Sequence, residues 1–243
     1  MDKPSTVAAW NGFCPVCRST TRFSSANTWF RDYLECENCE HGSIPRERAL
    51  FHVLHELAPN FLNMNIHESS PGGRECSVIL HRHAKKYTPT QFYPGIEPGT
   101  IHNQYRCENI ERQTFPDESF DIVITLDVME HIFNPDAAYR DIYRTLRPGG
   151  YYIHTTPIFS TLAASERRAA MTDEGEIVHL FEPEYHGNPV DASGSLVTFH
   201  YGYDLPQLIT EWTPFEVEIR RHRIKRLGLI AEFNEVIVCR KPD

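Results

Sequence analysis

No window of the chain approaches the eighteen consecutive apolar residues that a bilayer-spanning helix requires, and its start does not join a basic segment to an apolar stretch and a small-residue cleavage site. These absences argue against a helical membrane protein and a secreted one, and set a cytoplasmic location as the expectation. Internal repeats and low-complexity tracts are missing too. Positive charge is in short supply: 24 Lys and Arg stand against 33 Asp and Glu, a net charge of -9 that repels a phosphate backbone unless basic residues gather locally. One gathering exists, Arg220, Arg221, Arg223, Lys225 and Arg226, and charge runs of this kind usually form a solvated strand or turn face. Nucleic acid is therefore a disfavoured partner, and nothing points to a membrane or assigns an oligomeric state. With 243 residues and 40% hydrophobic composition, the chain can bury a full core, enough for one ordinary domain and a small appendage.

Seven cysteines are present, and four of them fall into two pairs, Cys14-Pro-Val-Cys17 and Cys36-Glu-Asn-Cys39, with eighteen residues between the pairs. This is the spacing of a four-thiolate zinc site, in which each two-residue gap lets a single turn aim both sulfurs at one tetrahedral ion. A reducing compartment makes paired disulfides the weaker alternative. Four thiolates fill the coordination sphere, so the expected Zn2+ is structural, holding a zinc-ribbon-like module over residues 1–44 that is too short for a core of its own. Trp10, Phe13, Phe23, Trp29, Phe30 and Tyr33 would supply its packing, with Trp29 or Tyr33 alternatively facing a partner. Cys76, Cys107 and Cys239 read as isolated buried thiols.

From Ser43, a plausible cap, the run Pro45 to Leu57 has helical spacing and should join the module to the rest. Strands are expected near Phe61 to Ile66, near Gln91, over Asp121 to Leu126 and over Tyr151 to Thr155. A helix capped by Asn134 and opened by Pro135 runs to Leu146, where Pro148-Gly149-Gly150 stops it. The alternation implies a parallel sheet covered by helices. Two C-terminal strands, Glu216 to Ile219 and Ile230 to Cys239, read as an antiparallel edge hairpin. Residues 158–203 lose periodicity, and an aperiodic stretch of that length is more often a lid or binding loop than a connection.

The segment from Thr114 through Phe115-Pro116-Asp117-Glu118-Ser119-Phe120-Asp121 to Met129-Glu130-His131, followed by Leu146-Arg147-Pro148-Gly149-Gly150, closely resembles the central region of class I S-adenosylmethionine-dependent methyltransferases, with Met129 in place of the usual leucine. The resemblance implies an α/β, Rossmann-like, mostly parallel sheet over residues 45–243, with the 158–203 stretch as an insert. It is good over roughly residues 45–160 and loose over the C-terminal hairpin. The usual first cofactor motif, an acidic residue followed by Gly-x-Gly-x-Gly, is replaced by Ile66-His67-Glu68-Ser69-Ser70-Pro71-Gly72-Gly73. This looks like a variant subgroup whose first strand ends in His. The resemblance places His67, Glu68, Ser69, Gly72 and Gly73 at the methionine moiety, with Glu68 taking the ammonium group. Gln91, with Glu97 as competitor, falls at the ribose; Glu108, with Asn109 beside it, at the adenine amino group; and Leu126 and Asp127 flank the cofactor. Small residues let backbone amides approach a carboxylate, and a glutamine amide can bond hydroxyls.

Methyl transfer from a sulfonium requires a nucleophile held in line and one proton managed. His131, after Glu130 at the cofactor-proximal end of a strand, and His179, His186 and His200 in the insert are the candidate catalytic residues, with Glu182, Glu184, Tyr185 and Asp204 nearby. Three histidines with carboxylates also suit a divalent ion. The acidic charge and polar insert favour a small-molecule or glycan acceptor and O-methylation. The alternatives are RNA methylation, which needs the Arg220 to Arg226 cluster to join the zinc module in one basic face, and a non-catalytic cofactor-fold scaffold, motivated by the altered first motif.

Overall fold

A computed structural model describes residues 6–188 and 191–243; residues 1–5 of the N-terminal module and 189–190 of the insert lie outside it. The N-terminal segment forms a three-stranded antiparallel sheet from β1 (Ala8–Cys14), β2 (Ser19–Ser25) and β3 (Glu35–Cys36), with the single turn α1 (Phe30–Tyr33) between β2 and β3. Helix α2 (Pro45–Leu57) follows, with Pro45 at its first turn and the Ile44 backbone amide donating to the Glu47 carboxylate at 3.0 Å. The cap is Ile44 and not Ser43, whose hydroxyl turns instead to the cysteine sulfurs, 3.3 Å from Cys39 Sγ.

An eight-stranded sheet carries the rest. Its strands are β4 (Asn65–Ser69), β5 (Lys86–Gln91), β6 (Ile101–His102), β7 (Tyr105–Cys107), β8 (Phe120–Leu126), β9 (Leu146–Thr155), β16 (Glu216–Arg221) and β17 (Glu235–Arg240), in spatial order β16-β17-β9-β8-β4-β5-β7-β6. The five strands β7-β5-β4-β8-β9 are parallel, whereas β6, β16 and β17 pair antiparallel. Helices α3 (Glu75–His83), α4 (Pro135–Thr145) and α5 (Leu205–Trp212) connect the strands. The expected Rossmann-like sheet with an antiparallel C-terminal hairpin is what forms, with the last strand inserted between β16 and β9.

Three boundaries differ from the sequence reading. Strand β9 starts at Leu146 rather than Tyr151, directly after α4, so Pro148-Gly149-Gly150 lies within the strand. The first parallel strand starts at Asn65, because Phe61–Asn63 makes a 3-10 turn that tucks Phe61 against Phe51 and His55. Asn65 is then pinned to the neighbouring strand, its amide donating to Asp121 Oδ2 at 2.7 Å. At the C-terminus, β17 begins at Glu235 rather than Ile230, after the 3-10 turn Lys225–Leu227 and a loop. Asn134 does precede α4, but its amide bonds the Glu111 carboxylate instead of capping the helix.

The N-terminal module does not own a separate core. Cys14, Val16, Phe23 and Leu34 pack in one continuous cluster with Leu50 and Leu54 of α2 and with Leu229, Val236 and Val238. Gly12 allows this docking: a Cβ there would run into the Arg226 carbonyl and the Phe23 ring. Arg48, fully buried, ties the junction by donating to the carbonyls of Leu34 and Gly228, each 2.9 Å away, and to that of Ser43.

The insert is not a featureless loop. It folds into small antiparallel pairs: β10 (Glu166–Arg167) with β15 (Phe199–His200), β11 (Ala169–Met171) with β12 (Ile177–His179), and β13 (Tyr185–His186) with β14 (Ser195–Leu196). Thr198 stitches it to the 3-10 turn Met129–His131, its amide donating to the Glu130 carbonyl at 2.7 Å and its hydroxyl to the Ile132 carbonyl at 2.7 Å. Among the described residues, no helix is long and apolar enough to cross a membrane.

Candidate active site and cysteine cluster

The four paired cysteines meet. Cys14 Sγ lies 3.8 Å from Cys39 Sγ, Cys17 Sγ lies 3.9 Å from Cys36 Sγ, and all four sulfurs fall within 4.8 Å of one another. Sulfurs held tetrahedrally at a Zn–S distance of about 2.3 Å stand ~3.8 Å apart, nearly twice a disulfide length, so this donor set fits a zinc ion. Hydroxyls surround it: Ser19 is 3.1 Å from Cys17 Sγ and Thr21 is 3.3 Å from Cys36 Sγ. Such neighbours orient and charge-balance thiolates. Cys76, Cys107 and Cys239 are buried and free, as expected.

The other candidates gather at the carboxyl ends of β4, β5, β7, β8 and β9, where open parallel sheets bind ligands. After β4 the chain turns through Ser70, with φ 59°, into Pro71-Gly72-Gly73. No protein atom lies within 4 Å of a Cβ built on Gly72 or Gly73, so this loop presents bare backbone to open space. Ser69 closes the strand and Gln91 ends β5, both nearly buried. Leu126 ends β8, half-buried, and Asn109 follows β7, its side-chain oxygen accepting from the Glu111 amide at 2.9 Å.

Three expected cofactor contacts are already engaged within the protein. His67 is fully buried inside β4, stacked on Phe120 with Nε2 2.8 Å from Thr90 Oγ1, and burial pushes its pKa down to about 3. Glu68 points to the opposite face, where Ser77 Oγ donates to it at 2.7 Å and the Tyr87 hydroxyl bonds its other oxygen. The Glu68 carboxylate thus clamps β4 to α3 and β5. Glu108 is likewise engaged: Arg106 Nε at 2.7 Å and the Thr114 hydroxyl at 2.5 Å bond one oxygen, and the Thr114 amide at 2.8 Å bonds the other. It organises the 108–114 loop. Glu97 sits in a turn, its carbonyl accepting from the Thr100 hydroxyl.

Asp127 has an unforeseen role. Its backbone is left-handed, φ 54°, and its carboxylate binds Arg31 Nη2 at 2.6 Å and Arg46 Nε at 2.8 Å while accepting from Thr155 Oγ1 at 2.9 Å. Burial would raise its pKa, but Arg46 and Arg31 hold it down to about 2. The residue therefore bolts the cysteine module and α2 to the end of β8.

Three of the four candidate histidines come together, and carboxylates join them. Glu130 is buried on the 3-10 turn after β8, with Oε2 accepting from Thr156 Oγ1 at 2.9 Å; burial, reinforced by the Asp127 charge, pushes it up to about 8. His131 Nδ1 is 2.9 Å from the Leu196 carbonyl, which can only accept, so Nδ1 carries the proton. His186 Nε2 and His200 Nε2 lie 3.2 and 2.8 Å from the two oxygens of Glu184. Partial burial opposes it, yet these imidazoles lower the Glu184 pKa. His200 also stacks on Phe159, 4.2 Å between centroids. His179 is not part of the cluster; it is exposed on β12, paired with Ala169. Asp204 is structural, accepting from the Ser165 amide and hydroxyl, while Glu182 and Tyr185 are exposed. Thr156 carried no sequence signal of its own, since only the fold brings it against Glu130.

The basic cluster is largely spoken for. Arg220 pairs with Glu56 and Glu218, Arg221 with Glu235, and Lys225 lies over the Trp10 ring. Lys225 and Arg226 adjoin the cysteine module, while Arg220 and Arg221 are held by carboxylates.

Comparison with known proteins agrees with this architecture. Residues 79–154 match the family model described as a methyltransferase domain. The chain is 30% identical over 150 residues to a ubiquinone biosynthesis O-methyltransferase of Sinorhizobium fredii, covering 58% of this chain and 55% of that one. Over 53 residues it is 42% identical to a ubiquinone/menaquinone biosynthesis C-methyltransferase of Hydrogenovibrio crunogenus, covering 21% of each. The chain thus spans about half the length of the first of these curated relatives and less of the other. Among solved structures, an S-adenosylmethionine-dependent methyltransferase from Mesorhizobium loti aligns with a TM-score of 0.52 at 16% identity, covering 79% of this chain and 98% of that one. The 1,6-didemethyltoxoflavin-N1-methyltransferase of Burkholderia thailandensis, solved with its substrate and S-adenosylhomocysteine, aligns with a TM-score of 0.52 at 13% identity, covering 82% and 79%. The chain therefore has the fold of S-adenosylmethionine-dependent methyltransferases.

Proposed function

We propose that this chain is an S-adenosylmethionine-dependent methyltransferase that methylates a hydroxyl of a small-molecule or sugar/glycan acceptor, with a structural zinc in the Cys14, Cys17, Cys36 and Cys39 cluster. The observation that carries the reading is the position of the histidine–carboxylate cluster, at the same strand ends as the bare Gly72-Gly73 loop and inside a fold shared with methyltransferases. The relative's name supports O-methylation of a small molecule. The free thiols fit a reducing, cytoplasmic setting.

When bound, S-adenosylmethionine supplies a methyl group on a sulfonium that carries its own leaving group. Ser69, Gly72 and Gly73 offer backbone to its methionine end, Gln91 an amide to its ribose, Asn109 a side chain near its base, and Leu126 an apolar wall. The insert covers the acceptor side and excludes water. Glu184 holds His200 through Nε2–H, leaving Nδ1 as the nitrogen that takes the acceptor's proton, in the manner of a carboxylate-oriented general base.

Calorimetry with S-adenosylhomocysteine, followed by a labelled-methyl screen over hydroxylic small molecules, sugar nucleotides, glycans and RNA, tests the reading. Binding with transfer to a small hydroxylic acceptor is expected. No binding at millimolar ligand would make the chain a scaffold, and transfer to RNA alone would overturn the acceptor assignment. One zinc per chain by elemental analysis is the expected companion result.

A further inference from the structure

We propose that Glu130, His131 and His186 bind a divalent cation beside the methyl-transfer site, and that this ion holds the acceptor's hydroxyl oxygen. The inference rests on the methyltransferase reading for its role, but on geometry alone for its existence.

The Glu130 Oε1 oxygen is buried and has no hydrogen-bond partner among the described residues. Turned toward it are His131 Nε2 at 3.9 Å and His186 Nδ1 at 4.0 Å, and the three atoms lie within 4.8 Å of one another. Both nitrogens are lone-pair bearers in the neutral imidazoles. His131 donates its Nδ1 proton to the Leu196 carbonyl, and His186 points its Nε2 proton at Glu184. Once Glu130 is ionised, three electron-pair donors converge on one point, an arrangement that a cation satisfies. A triangle with edges near 4 Å has its centre about 2.3 Å from each corner, close to the 2.0–2.2 Å of zinc–nitrogen and zinc–oxygen bonds, so a contraction of a few tenths of an ångström closes the site.

The outer partners are those a metal site requires. Thr156 fixes the second oxygen of Glu130, the Leu196 carbonyl fixes the His131 tautomer, and Glu184 completes a carboxylate–histidine pair with His186. Two histidines and one carboxylate suit a first-row divalent ion and leave positions open for exogenous oxygen. His186 is half-exposed, so the open side faces the insert and solvent. The other cluster of this kind, His52, Glu56 and His222, differs in that Glu56 already has a cationic partner in Arg220.

In the reaction, the cation lowers the pKa of the bound hydroxyl. Its proton passes to His200, the oxygen lone pair forms the new C–O bond, and the S–CH3 bond breaks with its electron pair staying on sulfur. The products are the methyl ether, S-adenosylhomocysteine and one proton.

Mn2+ is the probe, because its preference for oxygen and nitrogen leaves the four-thiolate cluster undisturbed. Titration of the full-length, zinc-replete chain, followed by electron paramagnetic resonance, should show one bound Mn2+. Affinity should fall at least tenfold in Glu130→Gln and in His186→Ala and stay unchanged in Glu56→Gln. Absence of binding in the wild type, or loss in Glu56→Gln alone, overturns the proposal. His186→Ala lies on the half-exposed insert and keeps the test decisive if Glu130→Gln does not fold. S-adenosylhomocysteine affinity, measured in parallel, separates the two readings: its absence sinks the methyltransferase assignment, whereas intact cofactor binding without Mn2+ binding sinks only the cation site.

Discussion

At the scale of single residues, the useful distinction is between side chains that face the strand ends and those that only look as if they should. Glu68 and Glu108 stand where a linear alignment wants cofactor contacts, and each carboxylate already accepts hydrogen bonds from its own neighbours. Glu108→Ala should therefore act through the fold: it strands the Arg106 guanidinium and the Thr114 amide, and a loss of about 1–3 kcal/mol in stability is expected by thermal denaturation. Gly72→Val provides the opposite case. The added Cβ meets no protein atom within 4 Å, so the melting temperature should stay within a degree or two of wild type. S-adenosylhomocysteine affinity should nonetheless drop about tenfold or more, ~1.4 kcal/mol, by calorimetry. A Gly72→Val protein with unchanged affinity would move the cofactor away from this loop. His200→Ala should lower turnover about a hundredfold, the usual scale for a lost general base, while leaving cofactor affinity near wild type.

Elements that read clearly in the sequence are those whose signals are local. Helix α4 announces itself through Pro135 at its first turn, and β8 through Ile122, Val123, Ile124 and Leu126, whereas the Pro148-Gly149-Gly150 run lies inside β9 because the helix already ends at Thr145. The start of β4 was misplaced because Phe61 and Leu62 look like strand residues, but the fold uses Phe61 to fill space beneath α2. In the insert the pairs are two or three residues long, too short for any period to show. The candidate site was half legible: His131, His186 and His200 could be named with Glu130 and Glu184 beside them, but that Thr156 bonds Glu130 and that His186 faces His131 follows only from contacts between distant segments. Asp127 was invisible in its true role, because Arg31 lies 96 positions away. The Arg31–Asp127–Arg46 bridge makes a prediction at this scale. Asp127 has a depressed folded-state pKa, so its contribution is present above the unfolded value near 3.8 and is lost as pH falls toward about 2. Acid denaturation should flatten between about pH 4 and 2 in Asp127→Asn, which should also be about 1–3 kcal/mol less stable at neutral pH, because Arg31 and Arg46 then keep Asp32 alone as a counter-charge.

For the whole molecule, the consequence of greatest reach is that the cysteine cluster and the sheet belong to one cooperative unit. The sequence divides into a zinc-held module over residues 1–44 and a domain over 45–243, a division in which breaking the thiolate site would spare the second. Phe23, Leu34 and Val16 instead pack directly against Leu50, Leu54 and Val236, and Arg48 ties the backbone of residues 34, 43 and 228 together from inside. The cluster is also linked to the strand ends by ion pairs: α1 supplies Arg31, and α2 supplies Arg46, to the same oxygen of Asp127. Removing zinc by chelation, or replacing a ligand with Cys36→Ser, should therefore lower the melting temperature of the entire chain in a single transition. Cofactor affinity should fall with it, since loosening Arg31 releases Asp127 from the end of β8, one residue from Leu126. Differential scanning calorimetry of zinc-loaded and chelated protein, paired with S-adenosylhomocysteine titration, checks both parts. Two separate transitions, with the later one and the cofactor affinity untouched by chelation, would show that the module is an independent appendage and that the shared core contributes little to coupling.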